Sequence, residues 1–454
     1  MNVCLVGGGV TGALAALYFQ KYRPEWTVTM VENPNISPVP VGENLHRNTF
    51  KFFCDVIDQP WETTLRELIE FNCTIKIGSE FTNWSEKFHT WYVLFSEKTR
   101  QENEKLHNTW IANNKDNISL DYYNYVYPDV INHIHNNTIP ENYLDRTSDL
   151  CSMHVDATKV SSYLKSKFKG NIVEGNVVGF ERTDEKLKNI KLEDGGTIES
   201  DLFFDCTGFK RILIGEFATF KTIQTAMVNS ALVGPSKHKD GVIPVCVKTI
   251  AKDHGWMFKI PMQHRVGVGY VFNGDINDIE TIRKERKFDV IGMESETVLR
   301  WVPSQTNTVW TKNVIGLGLA SFFNEPLVGT SMELTVRSIV HFNRYYEKSG
   351  LQGCHEYNDW FNTQTDLINT KIMSLYYYTN KNHTDFWKHV RLKCDKFNLH
   401  EKMLYLTHGG FNEMLQKYPD LMWTQEHLEY SSLFMCVPGV DLKKHPENII
   451  PSEE

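Results

Sequence analysis

The feature that most constrains this chain comes first. Asn2-Val-Cys-Leu-Val6 is a short apolar run with the look of a buried strand, and Gly7-Gly-Gly-Val-Thr-Gly12 follows it directly. Gly7, Gly9 and Gly12 stand as G-x-G-x-x-G between that strand and a helix predicted over residues 12–20. The first glycine allows the tight turn, the second lets a pyrophosphate approach the backbone, and the third lets the helix pack closely on the strand. The amides that open the helix, those of Val10 and Thr11 among them, then face the phosphates with the positive end of the helix dipole. A second strand, Trp26 to Val31, ends at Glu32, twenty residues beyond Gly12, where a carboxylate accepts from ribose hydroxyls. The motif without Glu32 would be a weak signal; with it, the chain must be α/β at its start and built to hold a nucleotide cofactor.

Which nucleotide is decided further along. Asp201-Leu-Phe-Phe-Asp-Cys-Thr-Gly-Phe209 reads as a strand that carries Asp205 into a turn at Gly208, returning toward the nucleotide. Val314-Ile-Gly-Leu-Gly-Leu-Ala320, with Leu319 in it, is a third glycine-containing strand end. Three returns suit the long FAD molecule. Gly267 and Gly269 lie inside a strand-like run and lack a third glycine, so no second unit for a nicotinamide cofactor is expected, and reduced flavin has to come from a separate flavin reductase.

The remaining bounds are broad. A length of 454 residues, 41% hydrophobic and 23% charged, describes a globular chain with ample core. A net charge of −8 without a basic block argues against nucleic acid, Lys284 to Lys287 being a mixed-charge face. Nine scattered cysteines with no Cys-x-x-Cys pair give neither a disulfide framework nor a metal site and fit a reducing cytoplasm. The apolar opening has no basic n-region, and no stretch is apolar enough to span a bilayer, so no membrane is expected.

Helical periodicity is read from Ile57 to about Phe71, a polar inserted region with one or two helices over 98–150, strands over 172–206 and 223–273, and helices from about 330. The expected fold is α/β: an FAD-binding Rossmann-like frame of the flavin monooxygenase type (GR2), with an interleaved β-rich substrate module and a helical C-terminal region. Residues 1–345 form the FAD-binding body, its nucleotide-binding segments at about 1–80, 150–215 and 305–345; residues 346–454 form a helical substrate-chamber region.

Several blocks are more specific. Gly42-Glu43-Asn44, Phe71-Asn-Cys-Thr-Ile-Lys-Ile-Gly78 followed by Trp84, His154-Val-Asp-Ala157, Gly255-Trp-Met-Phe-Lys-Ile-Pro-Met-Gln-His-Arg265 and Asn324-Glu-Pro-Leu-Val-Gly-Thr-Ser331 occur in this order. Together with the flavin signatures they resemble the flavin-dependent halogenases of the tryptophan halogenase family, over roughly residues 1–345, and look like a virus-encoded member, which would work in the host cytoplasm. The family's W-x-W-x-I-P signature stands here as Trp256, Phe258, Ile260 and Pro261, with one Trp replaced by Phe.

The resemblance implies an enzyme in which reduced FAD (FADH2) and O2 oxidise chloride, bromide or iodide to hypohalous acid, which crosses a tunnel to a small aromatic substrate. It places Gly42 and Glu43 at the flavin, Lys76 as the catalytic lysine, Trp256, Phe258, Ile260 and Pro261 along the tunnel, and the backbone amides of Thr330 and Ser331 at the halide. The plain alternatives are a solvent-exposed strand lysine at Lys76, ordinary core at Trp256 and Phe258, and an ordinary helix cap at Thr330 or Ser331. Tryptophan-using members carry a glutamate two residues after the loop's proline; here that position is Val328, and Glu325 matches a different position, immediately before the proline. A lost charge partner for the cationic ring intermediate points to a more electron-rich arene than free tryptophan. The nearest alternative is an FAD-dependent aromatic or alkene monooxygenase. A homo-oligomer stays open.

Overall fold

The computed structural model describes residues 1–36, 42–84, 90–94, 120–140, 152–292, 295–379 and 381–396, with single positions between 102 and 113. The apolar runs read from the sequence assemble one six-stranded sheet. Its order is Trp310–Thr311, Val314–Gly316, Leu202–Asp205, Asn2–Val6, Thr27–Glu32 and Asn171–Glu174. All neighbours pair in parallel except Trp310–Thr311 at the edge. The three segments expected to return to the nucleotide are thus three adjacent strands, and their C-terminal ends lie side by side, where open α/β sheets bind ligands. The helix Val10–Tyr22 has Gly12 through Phe19 all buried. It reads as apolar on every side because protein surrounds it: the sheet, and the helices Ala157–Lys167 and Thr330–Ser349.

The β-rich module is a seven-stranded sheet ordered Thr297–Arg300, Ser230–Ser236, Val266–Phe272, Gly255–Pro261, Cys246–Lys252, Gly78–Thr82 and Thr90–Leu94. Between the two sheets sits a three-stranded antiparallel one, with Ser152–Asp156 in the middle, Gly42–Leu45 on one side and Thr74–Lys76 on the other. The chain passes from this small sheet into the wide one at Ile77, whose amide donates to the Val245 carbonyl at 3.0 Å. Lys76 therefore stands at the junction of the two modules.

Two local expectations change. The helix predicted from Ile57 to Phe71 begins at Trp61 and ends at Glu70, because Pro60 fixes the start and Asp58 turns with φ of 55°. A separate amphipathic helix, Arg47–Val56, precedes it unforeseen. Gly267 and Gly269 lie within the strand Val266–Phe272, as expected, and their purpose is packing: a Cβ on Gly269 would stand 2.2 Å from the Phe258 ring. In the inserted region the described helices are Leu120–Val126 and Pro128–Asn136. C-terminal helices run Cys354–Tyr378 and Asp385–Lys396, and the expected helical region beyond 396 lies outside the described residues. No described helix is long and apolar enough to cross a membrane, and no metal-binding cluster occurs among the described residues.

Candidate active site

The glycine turn has a separate reason for each glycine. Gly7 holds φ of 118°, and a Cβ there would stand 2.5 Å from the Cys206 carbonyl oxygen. A Cβ on Gly12 would stand 1.9 Å from the Gly7 carbonyl oxygen, so the helix can approach its strand only without one. Gly9 differs, since among the described residues nothing lies within 4 Å of a Cβ placed there. It heads the helix Val10–Tyr22 with no side-chain cap, which leaves the first amides directed at open space. That is a cradle of the shape and polarity a diphosphate needs, and Val10 and Thr11 belong to it.

Gly8, not singled out in the sequence, is equally constrained: a Cβ there would meet Glu32 Oε2 at 2.2 Å. Glu32 stands where expected but with a partner, since Lys165 Nζ donates to its Oε2 at 2.5 Å. Lys165 lies on the helix Ala157–Lys167, capped by Asp156, and Ser161 Oγ of that helix donates to the Gly8 carbonyl at 2.9 Å. The triple glycine was the available signal for Gly8; nothing near Lys165 in the sequence announces its pairing.

Asp205 is fully buried, and its oxygens accept from the Thr207 amide (3.0 Å), the Thr207 hydroxyl (2.6 Å) and the amides of Leu213 and Ile214 (2.7 and 2.8 Å). Its role is to shape the turn, because its carboxylate is already occupied by protein donors. The turn it holds carries Gly208, at φ of 63° and with nothing within 4 Å of its Cβ position among the described residues. Opposite, Gly318 packs on Thr11, with half-buried Leu319 beside it.

From the cradle, Gly42–Leu45 leads toward the second module. Gly42 lets Ile260 in, whose Cγ2 would be 2.5 Å from a Cβ at that position. Glu43 stands beside it, its carboxyl pushed up to about 7 by burial. Ile260 shares one face of the strand Gly255–Pro261 with Phe258 and Trp256, and all three side chains are buried, as is Pro261. Trp256 continues into an aromatic cluster with Trp84 (ring centroids 6.3 Å apart) and, through Trp84, with Tyr376 and Trp387. Three of the expected tunnel residues, Trp256, Phe258 and Ile260, therefore form one continuous apolar wall from Gly42 to the helical region, with Pro261 on the strand's other face.

Lys76 is 2% exposed, and burial pulls its ammonium down to about 8. By register it shares a face of the small sheet with Ser152, Thr74, His154 and Asn44. His154 is fully buried, and burial, then the charge of Lys76, hold its imidazole well below the usual value. A buried polar face of this kind is rare without a purpose.

The loop Asn324–Ser331 closes against it. Val328 has φ of 61°, a conformation that a β-branched residue seldom adopts, and Gly329 follows at 63°. His46 Nε2 lies 3.3 Å from the Val328 carbonyl, and Asn44 packs beside Gly329. The left-handed Gly329 followed by right-handed Thr330 makes a concave run of amides, those of Thr330 and Ser331 included, at the head of the 20-residue helix Thr330–Ser349. Glu325, on the same loop, turns inward: Tyr376 donates to it at 2.8 Å, and burial pushes its carboxyl up to about 8.

The fold and site define a flavin-dependent oxidoreductase frame with a buried lysine where its small sheet leads into the wide one. The tryptophan halogenase family model matches residues 2–437, and the chain belongs to that family. It is similar to tryptophan 6-halogenase SttH of Streptomyces toxytricini, 23% identical over 441 residues, covering 87% of this chain and 81% of that protein. It is also similar to tryptophan 7-halogenase RebH of Lentzea aerocolonigenes, 25% identical over 420 residues, covering 85% and 78%. Among solved structures, Xcc4156, a flavin-dependent halogenase from Xanthomonas campestris, superposes with a TM-score of 0.75 at 24% identity, over 86% of this chain and 80% of the other. The apo structure of VirX1 superposes with a TM-score of 0.77 at 20% identity, over 98% and 99%. The chain is an enzyme, a flavin-dependent halogenase that uses FADH2, halide and O2, with a separate reductase supplying the reduced flavin.

Proposed function

We propose that this enzyme halogenates an electron-rich aromatic other than free tryptophan, with Lys76 delivering the halogen. Bound reduced FAD supplies, with O2, the two-electron oxidation of halide to hypohalous acid. The amides of Gly9, Val10 and Thr11 hold its diphosphate, and Glu32, shared with Lys165, takes a ribose hydroxyl. The amides of Thr330 and Ser331 bind the halide without a full positive charge, so the site can release as well as hold it.

The wall of Trp256, Phe258 and Ile260 keeps the substrate away from the flavin and leaves a small hypohalous acid as the species able to pass. At the far side the Lys76 ammonium donates to its oxygen, which polarises the oxygen–halogen bond. The observation that carries this reading is the burial of Lys76 on a polar face between the two modules: a strand lysine with no chemical task would reach solvent. Val328 carries the substrate class. The position offers no carboxylate to a cationic ring intermediate, and a phenol stabilises that cation with its own oxygen.

The test is a matrix of chloride, bromide and iodide against phenols, indoles and free tryptophan, with reductase-supplied FADH2 and products read by mass. Halogenated phenols that vanish in Lys76→Ala are expected. Efficient halogenation of tryptophan at one ring position would overturn the substrate class. Full activity of Lys76→Ala beside a scavenger of free hypohalous acid would overturn the lysine's role.

A further inference from the structure

The hydrogen bonds around His154 determine which of its nitrogens carries the proton. The Thr74 hydroxyl has one hydrogen, and it is directed at the Pro261 carbonyl oxygen, 2.6 Å away. Thr74 Oγ1 is also 3.1 Å from His154 Nδ1, and with its hydrogen committed it can only accept there. Nδ1 therefore bears the hydrogen, and Nε2 of the neutral ring is a bare acceptor. That acceptor is buried and has no hydrogen-bond partner among the described residues, so no bond joins it to Lys76 Nζ, although the two groups interact electrostatically on one face. The nearest acid on the same strand, Asp156, is held by Arg265 at 2.9 Å, with His264 at 3.8 Å, and Cys246 lies near Lys76 with its thiol pushed up to about 12 by burial. A buried lone pair of this kind calls for a donor, and none of these neighbours bonds to it.

We propose that His154 is the second anchor for hypohalous acid: Nε2 accepts its O–H while Lys76 donates to its oxygen from the other side. Hypohalous acid is both a donor and an acceptor, which a lone ammonium cannot exploit. Held at two points, the molecule presents its halogen to the ring. The ring's electron pair forms the carbon–halogen bond as the oxygen–halogen bond breaks, with that pair leaving on oxygen. The oxygen takes a proton from the Lys76 ammonium and departs as water, and the proton lost from the ring restores the ammonium. His154 stays neutral throughout and acts as a positioning residue. This inference rests on the delivery role proposed for Lys76.

Two substitutions separate anchoring from mere support. Asparagine at 154 preserves a donor to Thr74 and removes the distal acceptor; glutamine reaches the distal position and loses the Thr74 bond. With a halogen scavenger in the bulk solvent, His154→Asn is expected to oxidise FADH2 at the wild-type rate. The ratio of scavenged to substrate-bound halogen should rise roughly tenfold, the scale of one lost hydrogen bond. His154→Gln should stay near the wild-type ratio. A wild-type ratio in His154→Asn, or a worse ratio in His154→Gln, overturns the anchor. Independently of turnover, 15N spectra of the flavin-free protein should show His154 neutral with the hydrogen on Nδ1 from pH 6 to 8; a hydrogen on Nε2 overturns it. If Lys76→Ala leaves delivery to substrate intact while the spectrum is as expected, the fault lies with the lysine's role and not with the tautomer.

Discussion

The two ends of the site are built on opposite plans. At the phosphate cradle the protein offers backbone and space: Gly9 has nothing within 4 Å of its Cβ position among the described residues. At the lysine face it offers buried side chains, with Lys76 at 2% exposure and His154 at 0%. Amides bind a large, permanently charged cofactor without titrating. A small, reactive species needs directed donors and acceptors in a dry place, where each hydrogen bond counts for more and leakage is prevented. The first plan tolerates solvent; the second is incompatible with it.

The largest effect should come from breaking the second plan. Lys76→Met is expected to lower halogenation of substrate by at least about a hundredfold, the lower range for a positioned acid, without changing FAD affinity in a flavin-fluorescence titration. The same change should stabilise the fold at neutral pH. Because burial lowers the Lys76 pKa from 10.5 to about 8, the unfolded chain holds the proton more tightly, and stability is lost as pH falls from 10.5 through 8. At pH 7 the burial costs about 3 kcal/mol. Methionine avoids that cost, so thermal melts of the flavin-free protein should favour the variant at pH 7 and converge with wild type near pH 11. A variant less stable than wild type at pH 7 would show that Lys76 is held by compensating contacts.

A smaller effect sharpens the first plan. Gly9→Ala puts a methyl group into the cradle, where no protein atom opposes it, so the fold should melt as wild type while FAD binds roughly tenfold more weakly. Gly12→Ala drives a Cβ into the Gly7 carbonyl, so it should cost about 1–3 kcal/mol of stability whether or not FAD is present. The pair is measured by melts with and without flavin; a destabilised Gly9→Ala would mean that the cradle is packed by the protein itself.

This asymmetry also governs what could be read from the sequence. The cradle is local: Gly7, Gly9, Gly12 and Glu32 fall within one strand–helix–strand unit, and their spacing carries the geometry. The lysine face joins Asn44, Thr74, Lys76, Ser152 and His154 from three strands, and no periodicity announces which distant strands will pair. Only the resemblance of whole blocks brought Lys76 forward, and it did not supply the Thr74 bond that fixes the His154 tautomer. Asp205 illustrates the converse. Its position after an apolar strand was legible, but that its carboxylate serves Thr207, Leu213 and Ile214 depends on a turn whose path the sequence does not state. The helix Arg47–Val56 was hidden because its three phenylalanines blur into the next helical run.

The smallest effect on the reaction concerns Glu325, which borders both plans. It lies on the halide loop yet points into the aromatic cluster, where Tyr376 donates to it. Its folded pKa is raised from 4.5 to about 8, so its contribution to stability is complete below pH 4.5 and is lost as pH rises through 8, when the buried carboxyl must ionise. At pH 7 it is mostly protonated. Glu325→Gln keeps an oxygen for Tyr376 and cannot ionise, so halogenation at pH 7 should change by less than about threefold, within one hydrogen bond's worth. The melting temperatures should instead coincide at pH 4 and separate progressively as pH rises from 4.5 through 8, the variant melting higher by a few degrees above it. A variant that lost substrate halogenation at pH 7 with its melt unchanged would place Glu325 in the chemistry, as the carboxylate that Val328 does not provide. The aromatic cluster would then belong to the lysine's plan, and the boundary between the two would have to move.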